Sequence, residues 1–300
     1  MAAGAAILLV VLAGVLHWHP RGEVSEELAK KVRRLDLASG MLLDLALASE
    51  AEKSAVLAPT DEESKTFVDQ ARSATASLEQ KRLALGDLLA REGSPKEKSL
   101  FAEFSQDFTD FQNVDATLLD LAVKNTNLKA YALAFGPAMA AVKDFDSALF
   151  ALTQANLDTP QALPVALASC QARTSALSME TLLPPHIAEE SDQKMDEFEA
   201  QMAKQDQDVR TALDSLSRLD QLRDKPGLEA AESAYALFGG LRKQILTLSR
   251  ENTNVRSLAI SLNQKRKVAG MCQDALSALQ QAIKEEQPVQ EMLKEPMRPK

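Results

Sequence analysis

Three charged residues fall where a packed helical protein would place apolar ones: Arg82, Asp115 and Arg242. Burying a bare charge is costly, so such residues pair, reach back to solvent with their polar ends, or touch a ligand. As ligand-binding candidates, an arginine on an inward seam suits an anion, and Asp115 and Arg242 offer opposite charges at corresponding positions. No other constellation in the chain suggests chemistry. The only histidines are His17, His19 and His186, and no zinc-protease motif or Glu-x-x-His pair accompanies them. His17 and His19 diverge on a helix at i, i+2, which argues against a metal pair. With 11 glycines, the chain is also too glycine-poor for a phosphate loop. No catalytic residue, metal or cofactor is implied, and the expectation is a protein that is not an enzyme.

The elements that position these residues emerge from an internal repeat. Leu119 to Ala130 (LDLAVKNTNLKA) matches Leu246 to Ser257 (LTLSRENTNVRS), so that Asn125-Thr126-Asn127 falls on Asn252-Thr253-Asn254, 252 − 125 = 127 positions on. The same offset carries Glu62-Glu63-Ser64 onto Glu189-Glu190-Ser191, Phe108 onto Tyr235, Phe111 onto Phe238, and SALFAL (Ser147 to Leu152) onto DALSAL (Asp274 to Leu279). Val68, Ala71, Thr75, Leu78, Arg82, Leu85 and Leu89 follow 3-4 spacing in the first copy. Met195, Phe198, Met202, Gln205, Val209, Ala212 and Leu216 do so in the second. That spacing is the seam of a helical bundle. Phe101, Phe104, Phe108 and Phe111 share one face of the next helix and read as core.

Turn residues divide each copy into four helices. In copy one these run from Val24 to Leu57, from Thr60 or Asp61 to Arg91, from Ser94-Pro95 to about Lys124, and from Leu128 to Asn156 with a kink at Gly136-Pro137. Copy two repeats the plan: Thr159-Pro160 opens it, Pro184-Pro185 ends its first helix, Lys225-Pro226-Gly227 separates the second and third, and the last ends near Glu286. The Asn-Thr-Asn turns suit asparagine, which tolerates left-handed φ and caps the following helix. The predicted fold is all-α, two tandem antiparallel four-helix bundles over residues 23–157 and 158–287, with a disordered tail at 288–300.

The net charge of −9 argues against nucleic acid, whose binding needs a basic surface. Cys170 and Cys272 lie in no metal or haem pattern. Both fall at comparable heights in their helices, roughly 15 and 21 Å from the same end at the α-helical rise, so either a disulfide or two reduced core thiols fits. Ala2 to Leu16 is uninterrupted apolar or small sequence followed by Trp18. At about 15 to 17 residues it sits at the short limit for a spanning helix. The absence of a basic leader and of a small-residue cleavage site favours an uncleaved anchor over residues 1–22, inserted through residues 2–18, above a signal peptide. Arg21, Lys30, Lys31, Arg33 and Arg34 follow the run, and the positive-inside tendency would put that side in the cytoplasm.

The order of these features resembles the four-helix-bundle sensory module of methyl-accepting chemotaxis receptors. The membrane helix leads into helix one, the stretch LALASEAEKSAVLAPTDEES joins helices one and two, and helix three opens rich in aromatics. A short turn then precedes a fourth helix broken at Gly136-Pro137. The likeness covers residues 1–157 well and 160–286 as a diverged copy. It implies a module outside the cytoplasmic membrane that senses a small molecule or a partner protein and dimerises through helices one and four. The helical bimodular sensor, with two stacked bundles, is a second packing of the same eight helices. No second membrane helix or signalling hairpin follows Glu286, and the family carries no general ligand motif to transfer. Two functions remain: a membrane-anchored periplasmic sensor with an unknown small-molecule ligand and a signalling partner or homodimer, or a structural helical spacer of the cell envelope.

Overall fold

The computed structural model describes residues 3–220 and 222–285, with side chains from Glu26 onward. The described chain is all-α, with ten α-helices and no strand: α1 (Ala3–Leu57), α2 (Asp61–Glu92), α3 (Pro95–Ala122), α4 (Thr126–Leu133), α5 (Met139–Ala155), α6 (Ala162–Ala188), α7 (Asp192–Ser217), α8 (Lys225–Glu251), α9 (Thr253–Ile260) and α10 (Arg266–Glu285). Two π-helical turns, Ala134–Ala138 and Ser261–Lys265, join α4 to α5 and α9 to α10. No described helix is long and apolar enough to cross a membrane. The anchor expected over residues 1–22 falls on residues 1–2, which lie outside those described, and on the start of α1, of whose side chains nothing is described; the tail at 288–300 lies outside the described residues.

Local chemistry explains most helix starts. Ser94 and Glu97 cap α3 reciprocally: the Ser94 amide donates to Glu97 Oε2 at 2.7 Å, and the Glu97 amide to Ser94 Oγ at 3.3 Å. The Thr60 hydroxyl accepts from the Glu63 amide, Ser191 from that of Lys194, and Asp224 from that of Gly227. Prolines mark boundaries less sharply than expected. Pro184 and Pro185 lie inside α6, which continues to Ala188, and α6 opens at Ala162 rather than at Pro160. The kink expected at Gly136-Pro137 is a π turn, where the wider ladder accommodates the missing proline N–H.

The chain forms two compact units, one of Met1–Leu57, Ser64–Leu119 and Ile260–Lys300, the other of Ala58–Glu63 and Asp120–Ala259. This differs from the sequential division at 157–158. In the first unit α1, α2 and α3 of copy one are completed by α10, the last helix of copy two. Its core joins Met41 and Leu45 to Leu78, Leu85 and Leu89, to the stacked rings of Phe104, Phe108 and Phe111, and to Leu276, Leu279 and Ile283. In the second unit α4 and α5, the last helix of copy one, pack with α6, α7 and α8 of copy two. Phe145, Leu149 and Leu152 meet Val165, Met179, Val209, Leu216, Tyr235 and Phe238 there. The two copies have exchanged their fourth helices. An exchange buries the same faces as a sequential packing, which is why heptad spacing alone does not distinguish them.

The point of exchange explains the outcome. Asn125 and Asn252 both hold left-handed backbone, with φ 49° and 52°, and the helix resumes at the next residue. The two Asn-Thr-Asn segments, both in the second unit, then bond to each other reciprocally. The Thr126 amide donates to Thr253 Oγ1 and the Thr253 amide to Thr126 Oγ1, each at 3.1 Å. The Asn127 amide donates to Asn254 Oδ1 and the Asn254 amide to Asn127 Oδ1, also at 3.1 Å. Asn127 Nδ2 adds bonds to Asn252 Oδ1 and to the Ile187 carbonyl, both 2.7 Å, and Asn254 Nδ2 one to Asn125 Oδ1 at 2.9 Å. Asn125 caps no helix with its side chain, contrary to expectation. Each segment's orphan amides are capped by side chains of the other copy, so the pair is complete only when both copies meet here.

Candidate functional site

The second unit carries an open groove of about 590 Å³ between α7 and α8. Its α8 wall is Glu232, Tyr235, Ala236, Gly239 and Arg242, residues that share one helical face, and α7 supplies Arg210 and Leu213. A methyl group at Gly239 would meet nothing within 4 Å, so its space belongs to the groove. Beneath lies Asp206, whose Oδ1 accepts from Tyr235 Oη at 2.6 Å and Arg242 Nη2 at 2.9 Å, and whose Oδ2 accepts from Arg210 Nε at 2.7 Å. Burial alone would raise the Asp206 carboxyl, but these three donors outweigh it and hold it below the usual carboxylate range. Burial first, and then the Asp206 bond, push the Tyr235 phenol up. The groove thus presents two guanidiniums and a phenol already organised around one carboxylate.

The first unit holds a different polar group at the corresponding depth. Asp115 is 4% exposed, its Oδ1 pairs with the Lys265 ammonium, and its Oδ2 accepts from Thr75 Oγ1 at 3.5 Å. Lys265, 2% exposed, lies over the Phe111 ring with its nitrogen 3.1 Å from the centroid. Burial lowers the Lys265 pKa, against the pull of Asp115 and Glu52. Applying the 127-position offset, Lys265 falls on Ala138, Ser261 on Ala134, Glu52 on Met179 and Asp115 on Arg242. The 127-position offset thus pairs residues of opposite charge, Asp115 and Arg242, in the two units.

The three residues singled out by seam position are not brought together. Arg82 clasps Glu79 one turn back through two bonds of 2.7 Å and keeps 23% of its side chain exposed. It occupies the edge of the seam, and its raised pKa comes chiefly from Glu79. Asp115 is the most buried of the three. Arg242 lines the α7–α8 groove.

Sequence reasoning missed a third cluster, at the end of α6. His186 is fully buried; its Nδ1 lies 2.8 Å from Ser249 Oγ and its Nε2 2.9 Å from Glu199 Oε1, which also takes Arg250 Nε at 2.7 Å. A Ser–His–Glu chain has the parts of an acyl-transfer triad. Here both the imidazole and the hydroxyl are closed to solvent, and the cluster ties the ends of α6, α7 and α8 together. The signal was copy specificity: the offset places Pro59, Arg72 and Ala122 opposite His186, Glu199 and Ser249. Burial lowers the His186 pKa, with Arg250 adding to it and Glu199 opposing. The folded state therefore holds fewer protons than the unfolded chain below the ordinary value of 6.5. Its contribution to stability is complete above that value and is lost as pH falls through the lower folded one. In an NMR titration the His186 Cε1–H resonance should show a midpoint below 6.5, and a midpoint at or above 6.5 would contradict this placement.

Cys170 is exposed in the second unit and Cys272 buried in the first, and both are free thiols, so neither alternative is met in full: no disulfide joins them, and only Cys272 is a core thiol. Burial pushes the Cys272 thiol up to about 12. Among the described residues no group of three His, Cys, Asp or Glu side chains is placed to hold a metal. Compared with known proteins, the chain matches no protein-family model and no curated protein.

Proposed function

We propose that this chain is a non-enzymatic sensory module of bacterial signal transduction, akin to the helical sensory modules of chemotaxis receptors. In this reading the N-terminal apolar run anchors it in the cytoplasmic membrane, and the helical units lie outside, where a small anionic molecule binds. The observation that supports it is the α7–α8 groove, in which Arg210, Arg242 and Tyr235 converge on Asp206. An incoming carboxylate or phosphate would find donors already oriented and would compete with Asp206 for them. Such a competition shifts α7 against α8, the kind of small displacement a helical module passes to a partner.

The test is a thermal-shift panel of small carboxylates and phosphates on the full chain. At 100 times its Kd a true ligand adds about 2.7 kcal/mol, a rise of several degrees, and Arg242→Ala should abolish that rise. A compound that stabilises wild type and the variant equally would remove the groove from the proposal. A second reading, a spacer of the cell envelope, draws on the exposed Leu28, Val32, Leu43 and Leu47 along α1 and Leu163, Leu167 and Leu177 along α6. These faces suit a second copy or a partner protein. A spacer predicts no stabilisation by any member of the panel.

A further inference from the structure

The least satisfied polar group in the first unit is Glu52. Its side chain is wholly buried, and neither carboxylate oxygen has a hydrogen-bond partner. The Ser261 hydroxyl faces it and favours its ionised form, but no bond of good geometry joins the two. The groups that act on it are Lys53 on α1, Asp115 on α3, and Ser261 and Lys265 on the π turn; Thr75 on α2 bonds Asp115, and Cys272 on α10 acts on Lys265. Burial pushes the Cys272 thiol up, so the buried charged groups of this cluster are one cation, Lys265, and two carboxyl groups, Glu52 and Asp115.

That cation is already committed. Lys265 pairs with Asp115 and rests on the Phe111 ring, an arrangement that is neutral as it stands. An ionised Glu52 would add a negative charge with no cation free to pair with it and no well-formed hydrogen bond, a costly state for a protein interior. A neutral Glu52 removes that charge and needs no rearrangement. Burial accordingly raises its carboxyl above the ordinary 4.5, Asp115 adds to the rise, and Ser261, Lys265 and Lys53 oppose it.

We propose that Glu52 is a proton-binding site: the first unit folds with a proton on this carboxyl, and releasing it to solvent sets Glu52 and Asp115 in competition for Lys265. The competition falls on the π turn Ser261–Lys265, which carries both the hydroxyl and the ammonium facing Glu52. There the α-helical ladder is already interrupted, so re-aiming Lys265 disturbs fewer ideal hydrogen bonds than it would within a regular helix. The second unit supplies an internal control. Its π turn carries Ala134 and Ala138, with Met179 opposite, and nothing in that set titrates. The proposal stands whether or not the α7–α8 groove binds a ligand.

The sign follows from the direction of the shift. A carboxyl that holds its proton more tightly in the fold contributes stability that is complete below 4.5 and is lost as pH rises through the folded value. The experiment is a pH titration of the full chain labelled with carbon-13 at the glutamate carboxyls, run beside Glu52→Gln. We expect a carboxyl resonance with a midpoint above those of the exposed glutamates that is missing in the variant, and a loss of stability as pH rises above 4.5 that Glu52→Gln flattens. Should that variant not fold, Ser261→Ala identifies the resonance by moving its midpoint further up, because it removes a group that favours ionisation. Glutamates that all titrate together near 4.5, or a raised midpoint that neither substitution touches, would overturn the assignment.

Discussion

Asn127→Ala should cost the second unit about 3 to 9 kcal/mol, because it strands three partners at once and each buried group left unbonded costs about 1–3 kcal/mol. The Asn254 amide loses Oδ1, and the Ile187 carbonyl and Asn252 Oδ1 lose Nδ2. Asn127 is itself 4% exposed, so water cannot readily take its place. Urea unfolding followed by the tyrosine signal and by circular dichroism reads the loss directly. The paired threonines give a more specific test. Each hydroxyl accepts the other's amide, so Thr126→Ala and Thr253→Ala should be coupled, with the double substitution costing less than the sum of the singles. Full additivity would mean that the two segments do not depend on each other.

Asp115→Ala should destabilise the first unit by about 3 to 5 kcal/mol, the usual cost of leaving half of a buried ion pair uncompensated. Lys265 would then keep only the face of Phe111 and the nearby Glu52 carboxyl, and would favour giving up its proton. Removing both charges with Asp115→Leu and Lys265→Met should restore stability to within about 1–2 kcal/mol of wild type, since apolar groups of similar volume commonly replace a buried pair without loss. The comparison is made on denaturation midpoints at constant m-value. A single substitution as mild as the double one would show that water reaches Lys265.

The helices were legible because their signals are local. The 3-4 spacing around Leu78, Leu85 and Leu89, the phenylalanine stripe from Phe104 to Phe111, and the Ser94-Pro95 start were sufficient without tertiary information. Which helix completes which bundle was not legible, since the inward face of α10, with Leu276, Leu279 and Ile283, fits either copy's three-helix groove by pattern. The clue lay in Asn125-Thr126-Asn127 and its repeat: a turn that only reverses the chain has no need of two asparagines and a threonine at the same spacing in both copies.

The candidate site was legible in part. Opposite charges at Asp115 and Arg242 marked the right depth in each unit, and both residues are in fact partnered there. Their partners were hidden for different reasons. Lys265, which pairs with Asp115, lies far along the chain on a π turn that shifts the register on which seam positions are counted, and Asp206, which pairs with Arg242, comes from a different helix. Arg82 looked like an inward residue because heptad spacing is coarser than one residue, and the pair with Glu79 three positions back was enough to draw it to the rim. His186, the one histidine outside the N-terminal segment, carried no motif because its partners Glu199 and Ser249 lie on two other helices.

The exchange of fourth helices also sets an order on synthesis. Apart from the short stretch Ala58–Glu63, the second unit is one uninterrupted run, Asp120–Ala259, whereas the first takes its helices from both ends of the chain. As the polypeptide leaves the ribosome, the middle of the protein has all its helices while the earliest-made ones still await a partner. Leu78, Leu85, Phe104 and Phe108 can meet Met41 and Leu45 of α1 early but stay incompletely covered until Leu276 and Leu279 emerge, so the oldest part of the nascent chain is the last to close and has the longest need of a chaperone.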